Sequence, residues 1–238
     1  MTSLARSLTM SFAVGSLAAL VGGAGVPGST GSGSAAEGPA YRVGDRWVYH
    51  GDDGFRVKTE WDETHEVTTI GADGIAARIT LKGGLDLTRT ELWSAPGQVK
   101  VGAIFDNATR RFEEPLHRYD FPLAPGKVWN QWVWNFNEFT KARGQINRYV
   151  SVSGWEKVTT PAGTFDAIKL WMVMRLDDET FWRFATTCNY TVWYAPAAKA
   201  IVREERRAQY VEKSGEHGGA TIRAQYGVIE LVSFTPGR

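Results

Sequence analysis

Residues 158–205 read VTTPAGTFDAIKLWMVMRLDDETFWRFATTCNYTVWYAPAAKAIVREE, and this stretch decides the fold. It opens on Thr160-Pro161-Ala162-Gly163, where Pro in second place and Gly in fourth are typical of a type I turn. The next segment alternates with a period of two. One face carries Ile168, Leu170, Met172, Met174 and Leu176, and the other carries Phe165, Lys169, Trp171, Val173 and Arg175. Since successive side chains of a strand point to opposite faces, this pattern predicts antiparallel β structure.

The same alternation recurs along the chain, with turn residues between the segments and almost no helical periodicity. A less regular link contains Pro115, Pro122 and Pro125. The predicted strands are 55–70, 75–82, 87–93, 98–105, 146–159, 165–176, 181–194, 200–207 and 221–232. Short strands at regular spacing predict an all-β, mainly antiparallel protein. We expect a single strongly curved sheet, either a half-barrel or a barrel, with little helix.

The N-terminus has the features of a signal peptide. Arg6 is its only charged residue, and the apolar run from Leu8 to Val21 is too short to cross a hydrocarbon layer of ~30 Å. Cleavage is expected after Ala24, or as late as Ala36. Residues 25–40 are predicted to be a flexible Gly/Ser-rich linker and residues 41–238 a single β domain. These features predict a periplasmic or secreted protein with no transmembrane segment after cleavage.

Charge and cysteine content exclude two classes of protein. The chain has 27 Lys and Arg against 26 Asp and Glu, with no basic cluster, so no nucleic-acid partner is expected. Cys188 is the single cysteine and cannot form an intramolecular disulfide. It is expected to be a buried thiol, although an intermolecular disulfide or a reactive thiol remains an alternative.

Four motifs, taken in order, carry a family resemblance. They are Val43-Gly44-Asp45-Arg46-Trp47-Val48-Tyr49, the segment 121–129 (FPLAPGKVW), the segment 158–167 (VTTPAGTFDA), and Thr191-Val192-Trp193-Tyr194-Ala195-Pro196 leading into Ile201-Val202-Arg203-Glu204. Together they resemble a family of exported bacterial proteins of unknown function, which is similar to the lipoprotein-carrier half-barrels of the LolA type. The resemblance implies a bent antiparallel sheet that holds acyl chains on its concave face. Unlike those carriers, this chain shows no amphipathic helix to plug the open side.

The first candidate site is the apolar face of 168–176. Methionine is flexible and polarizable, so a wall containing Met172 and Met174 can adapt to varied acyl chains. We therefore predict that Leu170, Trp171, Met172 and Met174 bind a hydrophobic small molecule, a lipid or a lipid-modified partner. The alternative is an ordinary filled core, because the sequence does not distinguish a filled interior from a hollow one.

The second candidate is aromatic. Trp132, Trp134 and Phe136 share one face if their segment is a strand, and the chain contains ten Trp in all. Exposed flat aromatic rings bind sugars or partner proteins, so Trp132 and Trp134 are predicted ligand-binding residues of a module for envelope proteins or polysaccharide. The alternative is that these rings fill the core, with Asn135 and Asn137 on the opposite face.

The third candidate is the acidic cluster of Glu60, Asp62, Glu63, His65 and Glu66. Such groups can bind a divalent ion or perform acid–base chemistry. Strand geometry separates them, however, so that Glu63 and His65 point away from the other three. With neighbours ~6–7 Å apart along the strand, a solvated face is expected.

Motifs for enzymes are missing from the sequence. There is no Gly-x-Ser-x-Gly elbow, no zinc-binding His-Glu-x-x-His, no phosphate loop and no dinucleotide fingerprint. No catalytic residue, metal ligand or cofactor is therefore predicted. The sequence favours a non-enzymatic binding protein, and a small secreted hydrolase with dispersed carboxylates stays as a further alternative.

Overall fold

The computed structural model describes residues 34–54, 57–84, 86–177, 180–213 and 219–238. The predicted signal peptide (1–24) and most of the predicted linker lie outside these residues. The described chain forms one compact unit within residues 31–238. Within the described part, no helix is long and apolar enough to cross a membrane.

In the described part of the chain, twelve antiparallel strands form a closed barrel in which each strand pairs with its neighbours in the sequence and β1 pairs with β12. The strands are β1 (Arg46–Asp53), β2 (Thr59–Gly71), β3 (Gly74–Lys82), β4 (Leu87–Ala95), β5 (Gln98–Gly102), β6 (Arg110–His117), β7 (Val128–Asn137), β8 (Ala142–Thr160), β9 (Gly163–Asp177), β10 (Thr186–Ala195), β11 (Ala200–Val211) and β12 (Thr221–Thr235). A short 3-10 turn, Pro196–Ala198, joins β10 to β11. The all-β prediction is confirmed, and of its two forms the sheet adopts the barrel.

Alternation along the strands builds the core. On β9, Leu170, Met172 and Met174 are buried inside the barrel, whereas Trp171 and Arg175 are exposed outside. The predicted faces of residues 165–176 are therefore confirmed. Burying an apolar side chain of this size stabilises the fold by roughly 1.5–3 kcal/mol, which explains why this strand keeps a strict alternation.

The seam between β6 and β7 was not predicted from the sequence. The two strands pair only where Arg110–Phe112 meets Asn135–Asn137, because Pro115 interrupts β6 and has no N–H to donate. Beyond that point the side chain of Gln131 makes hydrogen bonds to the β6 backbone in place of the backbone–backbone hydrogen bonds between the strands. Its Oε1 accepts from the backbone N–H of His117 at 2.8 Å, and its Nε2 donates to the Pro115 carbonyl at 2.9 Å.

Aromatic side chains close one end of the barrel. The ring of Tyr194, at the end of β10, lies 5.9 Å from the ring of Tyr119 and 5.2 Å from that of Phe121, both in the β6–β7 connection. Tyr41, which precedes β1, contacts Trp47 and Trp93 at 5.7 and 5.5 Å between ring centroids. The opposite end, where strands β1, β3, β5, β7, β9 and β11 finish, is called the mouth below.

Candidate ligand-binding site inside the barrel

A cavity of ≈ 160 Å³ occupies the barrel interior next to the closed end. Its apolar wall combines aromatic and aliphatic side chains from strands on all sides. Representative members are Tyr49, Trp93, Leu116, Met172, Met174 and Val192. The interior of this barrel is therefore only partly filled by its own side chains.

A second pocket of ≈ 570 Å³ lies at the mouth and adjoins the inner cavity. The two share Glu63 and Arg206, as well as residues 105–107 of the β5–β6 connection. On its outer side this pocket is bounded by residues of the β1–β2 and β3–β4 connections and by residues 223–228 of β12. The indole of Trp61 forms part of the pocket wall and packs against Gly51. A Cβ at position 51 would lie 2.5 Å from this indole. A molecule that occupies both spaces would reach from the interior to the surface.

Charged side chains also enter the cavity, beginning with Glu63 on β2. Its Oε1 lies 2.7 Å from His65 Nε2 and 3.5 Å from Arg89 Nη2. Burial alone would raise the pKa of Glu63. The charge and hydrogen bond of His65, together with the charges of Arg206 and Arg89, outweigh burial and hold that pKa well below its usual range. Glu63 is thus a carboxylate at neutral pH.

Glu91 on β4 is the centre of a second cluster. Arg118 donates to both of its oxygens, at 3.0 and 3.3 Å, and the Trp93 indole N–H donates at 3.0 Å. The backbone N–H of Ala103 donates to Oε1 at 3.2 Å. Burial alone would raise the pKa of Glu91. The charges of Arg118 and Arg89 outweigh burial, so the pKa lies below its usual range. This carboxylate ties the β5–β6 connection to the barrel wall.

Two further arginines line the cavity, and they differ in their partners. Arg206 on β11 donates to Glu204 at 2.9 Å. Arg148 on β8 donates from Nε to the Met172 sulfur at 2.8 Å and from Nη1 to the His117 carbonyl. Among the described residues, no carboxylate oxygen lies within 4.0 Å of a guanidinium nitrogen of Arg148. Burial lowers the pKa of Arg148 to about 10, which still leaves it charged at neutral pH.

The predicted lipid-binding residues fall in three different places. Met172 and Met174 line the cavity, on the buried face that the sequence predicted. Leu170 is buried on the same face but packs in the core below the cavity wall. Trp171 lies on the outside of the barrel, 44% exposed, with its ring 6.1 Å from that of Tyr149. The face is thus cavity wall at Met172 and Met174 and filled core at Leu170.

The predicted aromatic face is on the outer wall. Trp132 is 56% exposed and Phe136 is also exposed, while the guanidinium of Arg143 covers the Trp134 ring at 3.9 Å. Asn135 and Asn137 on the opposite face are the buried residues. The alternative in which these rings fill the core is therefore wrong. Hydrogen bonds offset the cost of burying these two amides. Asn135 Nδ2 donates to the Gly144 carbonyl, and Asn137 Oδ1 accepts from the backbone N–H of Phe139 in the β7–β8 turn.

The acidic cluster divides as strand geometry predicted, but only half of it is solvated. Asp62 and Glu66 pair with His50 and Arg78 on the outer surface. Glu63 and His65 turn into the barrel instead, so the expectation of a solvated face is wrong for them. No group of three or more His, Cys, Asp or Glu in the described chain could hold a metal ion. Cys188 is buried, as expected, and burial raises the pKa of its thiol to about 12.

Sequence reasoning missed the interior arginines. The available signal was their position: Arg89, Arg148 and Arg206 stand where the two-residue period places apolar side chains. A charge in phase with a buried face is costly unless it is paired or used. These three positions were therefore recognisable exceptions to the pattern.

Comparisons with known proteins support the fold. A candidate exported protein with a YmcC-like fold from Bacteroides fragilis is 15% identical, with a TM-score of 0.52 over 85% of this chain and all of that one. A candidate lipoprotein from Parabacteroides distasonis is 14% identical, with a TM-score of 0.49 over the same shares. No protein-family model and no curated protein matches the chain. At this identity, the first similarity concerns the fold alone.

Proposed function

We propose that this chain is an exported, non-enzymatic binding protein that holds a small hydrophobic or lipid-like ligand inside its barrel. The observation that carries this proposal is the ≈ 160 Å³ cavity that adjoins the pocket at the mouth. Export is supported by the N-terminal apolar run of the sequence and by the description of the Bacteroides fragilis protein as a candidate exported protein.

The size of the cavity limits what it holds. An engineered apolar cavity of about 150 Å³ in another protein accommodates benzene. The inner cavity therefore fits a single ring or a short alkyl chain, and a longer chain has to extend into the pocket at the mouth. Each Å² of apolar ligand surface buried there contributes ~25 cal/mol to binding.

Exposed apolar side chains around the mouth favour a lipid-like ligand. Val57 (86% exposed), Phe139 (84%) and Phe181 (88%) all lie in connections at this end. Apolar side chains that stay exposed are available for contacts with lipids or other proteins. A lipid-modified partner could therefore contact these connections while its chain enters the barrel.

The interior carboxylates do not favour the hydrolase alternative. Glycoside cleavage by a pair of carboxyl groups needs one that is protonated and acts as an acid. The pKa values of Glu63 and Glu91 are both held below the usual range by neighbouring charges. At neutral pH both are ionised and are paired with arginine or histidine, so neither carries a proton to donate.

Calorimetric titration with 1-octanol tests the proposal. The wild-type chain should bind octanol saturably at 1:1, with a negative heat-capacity change from apolar burial. Ala103→Phe places a ring at the cavity wall and should abolish the signal. The matched control Ala197→Phe, at an exposed position of the 3-10 turn, should bind as the wild type does. Absence of saturable heat from the wild type would reject the proposal.

The outer wall supports a second candidate function, a module for polysaccharide or envelope proteins. Its specific observation is the exposed indole of Trp132. Stacking of a sugar on this ring would quench tryptophan fluorescence on titration with oligosaccharides, and Trp132→Ala would remove the response. A flat signal across several glycans would count against this function.

A further inference from the structure

We propose that Arg148 is the head-group site of the cavity and that the ligand is a monoanionic amphiphile, such as a carboxylate on a short apolar chain. This inference rests on the proposed function, since it specifies the chemistry of a ligand held inside the barrel. It goes further because it assigns a charge to that ligand and a residue to that charge.

The protein groups around Arg148 do not provide acceptors for all of the N–H donors of its guanidinium. The residue is 5% exposed, and its Nε and Nη1 donate to a thioether sulfur and a backbone carbonyl. A thioether is only a weak acceptor. Within the described chain, Nη2 has no protein acceptor, and it belongs to a side chain that lines the cavity. Donors without an acceptor therefore remain available to a molecule in the cavity.

Arg148 differs from the other three arginines of the cavity in having no carboxylate partner among the described residues. Arg118 pairs with Glu91, Arg206 pairs with Glu204, and Arg89 lies 3.5 Å from Glu63. Arg148 alone among these four arginines has no carboxylate neighbour within ion-pair distance in the described part of the chain. The interior consequently carries one guanidinium whose charge no protein group neutralises in direct contact.

An uncompensated buried charge is costly, and a bound anion would remove that cost. Burying an ion costs hydration free energy unless an opposite charge and hydrogen bonds offset the loss. A carboxylate suits this position because its two oxygens match the planar donors of a guanidinium. One guanidinium without a carboxylate partner is matched by one negative charge, which favours a monoanion over a dianion.

A second polar group points to the same ligand. The hydroxyl of Tyr194 is buried and has no hydrogen-bond partner among the described residues, on a side chain that is 1% exposed and lines the cavity. The Tyr119 ring, which also lines the cavity, lies 5.9 Å from the Tyr194 ring. The cavity wall therefore offers a ligand oxygen the unpartnered hydroxyl of Tyr194 in addition to the guanidinium of Arg148.

The neighbours of Arg148 provide the apolar part of the site. Met174 is its cross-strand partner on β9, and the Met172 sulfur contacts its Nε. Both methionines line the cavity. A short chain attached to a carboxylate at Arg148 would therefore lie against flexible apolar side chains, with the mouth pocket available to its far end.

Calorimetry at pH 7 with three probes of equal chain length tests the assignment: octanoate, 1-octanol and octylammonium. The wild-type chain should bind octanoate at least tenfold more tightly than octanol, and octylammonium most weakly. Arg148→Met should remove the preference, so that octanoate binds no more tightly than octanol to this variant. Arg148→Lys should keep a preference for octanoate, because it retains the charge.

Arg175→Met is the matched control, because Arg175 lies on the exposed face of the same hairpin and should leave all three affinities unchanged. Equal affinities of the wild type for octanoate and octanol would overturn the head-group assignment and leave the proposed function standing. A preference for octylammonium would overturn it in favour of the interior carboxylates. Failure of all three probes to bind would reject the proposed function itself.

Discussion

Replacing Arg148 by methionine is expected to stabilise the ligand-free barrel, although it removes a residue that makes two hydrogen bonds. Burial lowers the pKa of this guanidinium from 12.5 to about 10. One pKa unit corresponds to about 1.4 kcal/mol, so the charged form is disfavoured in the folded state by roughly 3 kcal/mol. Because the folded pKa is the lower one, this cost is present in full at pH 7 and is relieved only as the pH rises past 10.

The losses caused by this substitution are small. The His117 carbonyl, which accepts from Arg148, also accepts from the Trp129 indole at 3.2 Å and stays partnered. The other acceptor is a thioether. We therefore expect a net gain of about 1–2 kcal/mol in the free energy of unfolding, and a rise of roughly 2–8 °C in Tm for a chain of this size.

Urea unfolding at pH 7 in the absence of ligand measures this effect. Arg118→Met is the control, because it removes the partner of the buried Glu91 carboxylate and should cost about 3–5 kcal/mol. A loss of more than about 1 kcal/mol for Arg148→Met would refute the reasoning, since it would mean that Arg148 is a satisfied structural group rather than an uncompensated charge.

Three other predictions concern the core and the interior charges. Glu91→Gln should destabilise the barrel by about 3 kcal/mol in urea unfolding, because it weakens the contacts to Arg118 and Trp93; an unchanged midpoint would contradict the importance of this cluster. Leu170→Ala should cost about 2–5 kcal/mol, whereas Trp171→Ala, on the exposed face, should cost less than about 1 kcal/mol; similar losses would contradict the assignment of faces. The pKa values of Glu63 and Glu91 lie below the ordinary 4.5, so their contribution to stability is present above that pH and is lost as the pH falls through the lower folded values. Unfolding free energies measured from pH 7 to pH 3 should therefore fall, with a shallower decline in Glu91→Gln, and constant stability would contradict this.

Much of the fold was predictable because the strands obey local rules. The alternation at 165–176 predicted which side chains of β9 are buried, and the Pro161-Gly163 turn marks the actual boundary between β8 and β9. Strand β6 was missed because Pro115 interrupts the pattern, and because side chains of the neighbouring strand supply the hydrogen bonds that the backbone does not. Closure was not predictable locally, since it depends on pairing between β1 and β12 at opposite ends of the sequence.

The candidate site was less predictable than the fold, for a physical reason. Glu63 and His65 were correctly separated from Glu60, Asp62 and Glu66, but a strand with charges on both faces does not reveal which face is inside. Arg89, which lies 3.5 Å from Glu63 inside the barrel, comes from a strand two positions away. In the same way, Met172 and Met174 look alike in a filled core and in a cavity wall, because the empty space is set by side chains from many strands.

The most direct test of the central claim, that the barrel interior binds a small hydrophobic ligand, is methyl NMR of protein labelled with ¹³C at its methionine methyl groups. The chain has four methionines, of which Met172 and Met174 line the cavity, and Met172→Leu and Met174→Leu variants assign their two signals. Both signals should shift saturably with 1-octanol, and Ala103→Phe should suppress the shifts. Signals of Met172 and Met174 that stay unchanged at saturating octanol would contradict the account.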